Sequence, residues 1–194
     1  MTLFGLTGGI GMGKSTAGDI LHRRGIAITD TDAIAREIVE PGQPALMEIC
    51  ECFGFRLVRS DGQLDREELA RIVFADADAR RHLEGVLHPR IRIAWQERAA
   101  QWRAEGQRIG VVIIPLLFEI YAAALFDATV CLACSAQTQM QRLSSRGWSL
   151  EQIQMRLASQ WTIEEKIKHS NYVIWTDATL EAHAAQLERI FFQS

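Results

Sequence analysis

Lysine is scarce in this chain: Lys14 is the only one before Lys166, and eighteen of the 21 basic residues are arginines. A net charge of -3 also lacks the basic excess of a general nucleic-acid binder, so no nucleic-acid partner is expected. Arginine suits bidentate capture of phosphate, although a GC-rich genome gives the same bias and is the first explanation. Cysteine is equally sparse. Cys50, Cys52, Cys131 and Cys134 make no disulfide framework in 194 residues, and reduced thiols fit a cytoplasmic protein. Cys131-Leu-Ala-Cys134 has metal-knuckle spacing, but a strand there sends the two thiols to opposite faces and no second ligand pair exists. They read as buried small hydrophobes. No secretory start is visible in Met1 to Leu6, and the apolar stretch from Ile109 to Phe126 is interrupted by Pro115 and Glu119. A soluble protein without a membrane partner is expected, as a monomer or weak homo-oligomer.

What is present is the pattern of one α/β domain with insertions. Five short apolar runs read as buried parallel strands: Leu3–Leu6, Ile26–Thr29, Ile109–Ile114, Ala128–Ala133 and Tyr172–Trp175. Helical patterns separate them, which predicts a doubly wound sheet with helices on both faces. The first helix is expected from Lys14 to His22, stopped by Arg24-Gly25.

The connection from strand two to strand three is long and helical, punctuated by Pro41-Gly42 and Asp61-Gly62. Since a crossover needs only about a dozen residues, residues 32–106 are expected to form a helical insertion on the sheet's carboxyl edge. Asp65 to Glu68 reads as a capping box within it, and Leu87-His88-Pro89-Arg90 as a break in its helices. A second helical excursion, 136–169, carries a capping box at Ser149 to Gln152 and is expected to be a lid. The nucleotide-binding core is then 1–31, 107–135 and 170–194.

Gly8-Gly-Ile-Gly-Met-Gly-Lys-Ser15 fits the phosphate-loop pattern at every position, between a strand and a helix. Its glycines let backbone N–H groups turn inward on phosphate oxygens, and the following helix adds its positive end. Gly9, Ile10, Gly11, Met12, Gly13, Lys14, Ser15 and Thr16 are therefore the expected contacts to the phosphates of a nucleoside triphosphate. Lys14 places its charge between the β- and γ-phosphates, and the Ser15 hydroxyl is the expected Mg²⁺ ligand.

Strand three ends at Ile114-Pro115 and not at an acid, so the aspartate of ATPases and GTPases is missing from its usual place. No guanine-reading motif appears either. The carboxylates instead follow strand two, as Asp30-Thr31-Asp32. In an open parallel sheet that position faces the ligand crevice. One carboxylate there suits proton abstraction from a hydroxyl, and Asp30 suits the Mg²⁺ shell. The structural alternative for Asp32 is the N-cap of a helix from Ala33 to Glu40.

Arg142 and Arg146 lie four apart, on one face of a helix in the lid, where arginines neutralise charge while the lid excludes water. Arg156 follows on the next helix; for Arg146 and Arg156 a solvated helix face is the alternative. His88 is a candidate phosphate contact, with a structural role at a helix start as its alternative. Pro115-Leu-Leu117-Phe-Glu119 follows strand three as an apolar wall with one acid, suited to a flat ligand or to packing under the insertion.

Taken together these residues resemble the dephospho-coenzyme A kinase family. The resemblance rests on Leu6 to Thr16, Asp30-Thr-Asp-Ala-Ile-Ala-Arg36 with Glu40-Pro-Gly42, Leu87-His-Pro89, Ile114 to Glu119, and Gln141-Arg142, in order over nearly the whole chain. It implies a P-loop kinase core with a helical CoA-binding insertion and a lid. It also implies transfer of phosphate from ATP, with Mg²⁺, to the ribose 3′-hydroxyl of dephospho-CoA, the last step of coenzyme A synthesis. Asp32 then looks like the base, with Lys14 and Arg142 completing the catalytic set and Arg142 acting on ATP. Thr7, Asp32, Arg36, His88, Leu117 and Glu119 look like substrate positions.

The chain departs from the family's pattern at Arg146-Gly147, at Trp161 after Ser159-Gln160, and at the last strand end, Ile174-Trp-Thr-Asp177. The rival readings are another small-molecule P-loop kinase, shikimate- or nucleoside-monophosphate-kinase-like, and a nucleotide-binding regulatory protein without turnover. Shikimate kinase shares Asp-x-Asp after strand two, but its glycine-rich, arginine-led turn after strand three is absent here.

Overall fold

The computed structural model describes residues 1–192. Its chain divides into two compact units, one formed by 1–30 with the segment from 101 onward, the other by 31–100.

The first unit is built on a five-stranded parallel sheet. β1 (Thr2–Gly8), β2 (Ala27–Asp30), β3 (Ile109–Ile113), β4 (Ala128–Ala133) and β5 (Tyr172–Trp175) pair in the order β2-β3-β1-β4-β5. β1 runs between β3, with Leu6 opposite Ile113, and β4, with Leu6 opposite Val130. Such a central strand is covered on both faces, which is why its sequence is an unbroken apolar run. The core joins Leu6, Val111, Val130, Leu132 and Ile174 to Leu21 of α1 (Lys14–Arg23). Leu187 and Phe191, of the last helix, complete it.

β4 and β5 have the ranges read from the sequence, while the bounds of β1, β2 and β3 differ by a residue or two. β2 begins at Ala27 and takes in Asp30, because the ladder with β3 continues until Asp30 faces Ile113. Asp30 is thus a strand residue, and its carboxylate belongs to the carboxyl end of the sheet.

The second unit contains α2 (Thr31–Glu37), α3 (Pro44–Phe53), α4 (Arg66–Ala75) and most of α5 (Ala77–Ala104). Its own core gathers Val39, Leu46, Ile49, Leu57, Leu64, Leu69 and Val86. At about 1.5–3 kcal/mol per fully buried aliphatic side chain, this cluster gives the unit its own hydrophobic stabilisation. Asp65 caps α4, accepting the Glu68 N–H at 3.1 Å.

Two expectations for this unit are corrected. Pro89 does not break the insertion: α5 runs continuously for 28 residues through it. Proline deprives Gly85 of its helical N–H partner and crowds that carbonyl. Gly85 is exposed and carries no side chain to add to the crowding. One residue on, the Arg90 guanidinium donates to the Val86 carbonyl at 2.7 Å, while its other arm binds Glu48. Backbone and side chain thus sustain the turn, and His88 sits mid-helix and exposed, not at a helix start. The second correction concerns Asp32. The helix starts at Thr31 and ends at Glu37, so Asp32 is inside its first turn and does not occupy the cap of an Ala33–Glu40 helix.

The remaining helices belong to the first unit: α6 (Ala136–Ser145), α7 (Leu150–Ala158), α8 (Ile163–His169) and α9 (Leu180–Phe192). Ser149 and Gln152 form the expected reciprocal capping box at the start of α7. Arg146 lies just past α6, as its C-cap, and so does not share a continuous helix face with Arg142. The helix tightens there through Gly147, whose φ of 81° belongs to the left-handed region.

Candidate active site

The loop between β1 and α1 has the geometry its glycines require. Gly13 caps α1 with φ 91°, and Gly8 has φ 141° with no room for a side chain, since a Cβ would lie 2.4 Å from the Leu132 carbonyl oxygen. Within the loop Met12 N–H donates to the Gly9 carbonyl at 3.2 Å. The Lys14 ammonium donates to the carbonyls of Gly8 at 2.8 Å and Gly9 at 3.0 Å, so the cation is held across the base of the loop. Ser15 and Thr16 follow on the first turn of α1, with Ser15 exposed.

Arg142, half-buried on α6, meets this loop and the end of β5 together. Its guanidinium donates to Thr176 Oγ1 at 2.9 Å and to the Thr176 carbonyl, with a longer 3.4 Å approach to the Gly11 carbonyl. Thr176 Oγ1 in turn donates to the Met12 carbonyl at 3.3 Å. Next to it, Asp177 accepts the Ser135 N–H at 2.9 Å and the Ser135 hydroxyl at 2.6 Å. Hydrogen bonds from Ser135 and Thr138 hold the Asp177 carboxyl below the usual carboxylate range. The departure at the last strand end therefore fastens both ends of α6: Asp177 at its start and Thr176 at its last turn.

Two glutamines reach the head of the loop. Gln139 Nε2 donates to the Ile10 carbonyl at 2.7 Å, and Gln160 Oε1 accepts the Ile10 N–H at 3.2 Å. Beneath the loop, Thr7 is fully buried and its hydroxyl donates to the Pro115 carbonyl at 3.2 Å. The buried Lys166 ammonium donates to the same carbonyl at 2.7 Å and pairs with Glu119 at 2.8 Å. Glu119 also accepts the Trp161 N–H at 2.8 Å. Leu117 is wholly buried, so its side chain offers a ligand no surface in this conformation. The Cys131 thiol is pushed up to about 11, chiefly by burial, as suits a packed and unreactive cysteine.

Gly8 to Thr16, Arg142, Thr7, Asp30 and Glu119 all belong to the first unit. Asp32, Arg36 and His88 belong to the second unit, and all three are exposed. Beside Arg36 the structure adds a residue that the sequence did not single out: the Arg66 guanidinium donates to the Arg36 carbonyl at 3.3 Å. Burial and then the Arg36 charge hold the Arg66 pKa below its ordinary value. Two cations kept this close suit a multiply charged anion.

The arrangement has close counterparts. The model of the family described as Dephospho-CoA kinase matches residues 2–182. The chain belongs to the dephospho-CoA kinase family. It is 41% identical over 191 residues to the dephospho-CoA kinase of Anaeromyxobacter dehalogenans, covering 98% of this chain and 90% of that one. Two solved structures are similar in fold. The protein TT1252 of Thermus thermophilus has TM-score 0.84 at 30% identity, covering 99% of this chain and 97% of that one. The dephospho-CoA kinase of Campylobacter jejuni has TM-score 0.72 at 27% identity, with 97% and 94% covered. The expected P-loop kinase fold is therefore the observed one.

Gln139 and Lys166 have no part in the sequence reading of the site, and Gln160, Thr176 and Asp177 enter it only at departures from the family pattern. Lys166 carried a signal in its rarity, and Asp177 in its departure from the family pattern. The glutamines carried none, because their partner lies 129 and 150 residues away in the chain.

Proposed function

We propose that this protein phosphorylates the ribose 3′-hydroxyl of dephospho-CoA with ATP, releasing CoA and ADP, as a cytoplasmic monomer or weak homo-oligomer. The observation that carries the reading is a family match spanning both the formed phosphate loop and Asp30 to Asp32. Asp32 is the base: exposed on the first turn of α2, it takes the hydroxyl proton as that oxygen attacks the γ-phosphorus. The bond from the γ-phosphorus to the bridging oxygen breaks, and ADP leaves with the electron pair. Lys14 and Arg142 neutralise the charge spread over the phosphoryl oxygens.

Mg²⁺ fits the oxygen donors present, the exposed Ser15 hydroxyl and the Asp30 carboxylate, since this ion takes one or two protein ligands beside substrate phosphates. When bound it neutralises phosphate charge. Arg36 and His88 contact dephospho-CoA, with Arg66 supplying a second guanidinium beside Arg36. The lid, 136–169, excludes water that would otherwise take the phosphoryl group.

The test is ADP formation with Mg-ATP and dephospho-CoA, AMP, shikimate or water alone. Turnover dependent on dephospho-CoA is expected. Turnover with AMP or shikimate but not dephospho-CoA would overturn the assignment.

A further inference from the structure

Ile10 stands at the head of the phosphate loop with both of its backbone groups held by side chains. The Gln139 amide donates to its carbonyl at 2.7 Å, and the Gln160 carboxamide oxygen accepts its N–H at 3.2 Å. These two groups belong to the successive peptides on either side of the Ile10 Cα, so fixing both fixes the turn of the loop at that residue. In a trans peptide the C=O and the next N–H point in opposite directions. With Gln139 holding the Ile10 carbonyl on the α6 side, the Gly11 N–H is directed away from α6, as a loop whose amides converge on an anion requires. Packing supports the same conclusion. Gln139 is 8% exposed, and α6 lies so close that a Cβ on Gly11 would meet Leu143 at 3.1 Å.

We propose that Gln139 and Gln160 are a pair of positioning residues for phosphoryl transfer. They grip Ile10 from both sides, aim the Gly11 N–H at the nucleotide phosphates, and dock the segment after α7 onto the loop. This deepens the kinase reading and rests on it. Glutamine suits the task chemically. A carboxamide donates at one atom and accepts at the other without carrying charge. A carboxylate at 160 would accept the same N–H and repel the triphosphate, while a lysine at 139 would donate and then compete for phosphate.

Methionine variants keep the volume and remove the hydrogen bonds. Gln139→Met and Gln160→Met are each expected to lower kcat/KM for ATP roughly three- to tenfold, the range for losing one hydrogen bond. The KM for dephospho-CoA stays unchanged, which general loosening of the fold would not leave. Because both side chains act on one residue, the double variant is expected to lose clearly less than the product of the single losses. Wild-type kcat/KM for ATP in either single variant, or losses that multiply, would overturn the pairing. Calorimetric affinity for Mg-ADP, measured on the same variants, tests the grip without turnover: weaker binding with non-additive losses supports it, and wild-type affinity overturns it. If the wild-type protein shows no phosphorylation of dephospho-CoA, the substrate reading fails while the affinity cycle still decides on the glutamines.

Discussion

The Lys166 ammonium lies 2.8 Å from a Glu119 carboxylate oxygen, with the lysine side chain wholly buried and the glutamate 14% exposed. Its second donor bond, to the Pro115 carbonyl at 2.7 Å, and the Trp161 N–H on Glu119 make the pair a knot between the end of β3 and α8. Removing one member of a buried pair strands the other charge, at a cost of about 3–5 kcal/mol. Lys166→Met is therefore expected to lower unfolding stability by roughly that amount, measured by urea denaturation. Replacing both, as Lys166→Met with Glu119→Leu, should regain part of the loss. A single variant as stable as wild type would show the pair to be dispensable.

Asp32→Asn preserves size and removes the base. Loss of general-base catalysis costs roughly 10² or more in kcat, while ATP affinity measured by calorimetry should stay near wild type. Undiminished turnover would reduce Asp32 to a first-turn helix residue.

Lys14→Ala removes the cation that bridges the Gly8 and Gly9 carbonyls. Both nucleotide affinity and transfer rate should fall, because the charge serves the bound phosphates and the transition state alike. Unchanged kinetics would contradict the assignment of this loop.

His183 is 4% exposed on α9, and its Nε2 has no hydrogen-bond partner among the described residues. Burial first, and the Arg142 charge second, hold its pKa below the ordinary 6.5. The unfolded chain therefore takes up this proton at a higher pH than the folded one. The contribution is fully present above about pH 6.5 and is lost as pH falls through the lower folded value. Thermal unfolding between pH 8 and 5 should show a decline that is shallower in His183→Leu. Equal slopes would mean that His183 does not titrate differently in the two states.

Much of this protein was legible in the order of its residues. Gly8 to Ser15 marks a phosphate loop because its chemistry is local: glycines permit the turn, and lysine and serine follow at fixed spacing. The inner strands β1, β3 and β4 were legible because burial on both faces leaves an apolar run, as in Val111-Val-Ile113, whereas the edge strands β2 and β5 are only partly covered. Pro89 taken alone signals a helix break, yet α5 runs through it. Tertiary packing of Val86, the exposed Gly85 and the Arg90 side chain carry α5 past it. The contacts of the loop were decided only by topology. Setting β4 beside β1, and β5 beside β4, brings α6 and the β5 end to the loop, so that Gln139, Gln160, Arg142 and Thr176 meet residues more than 120 positions earlier. No local pattern records such pairings, because each side chain is chosen by a partner that only the fold supplies.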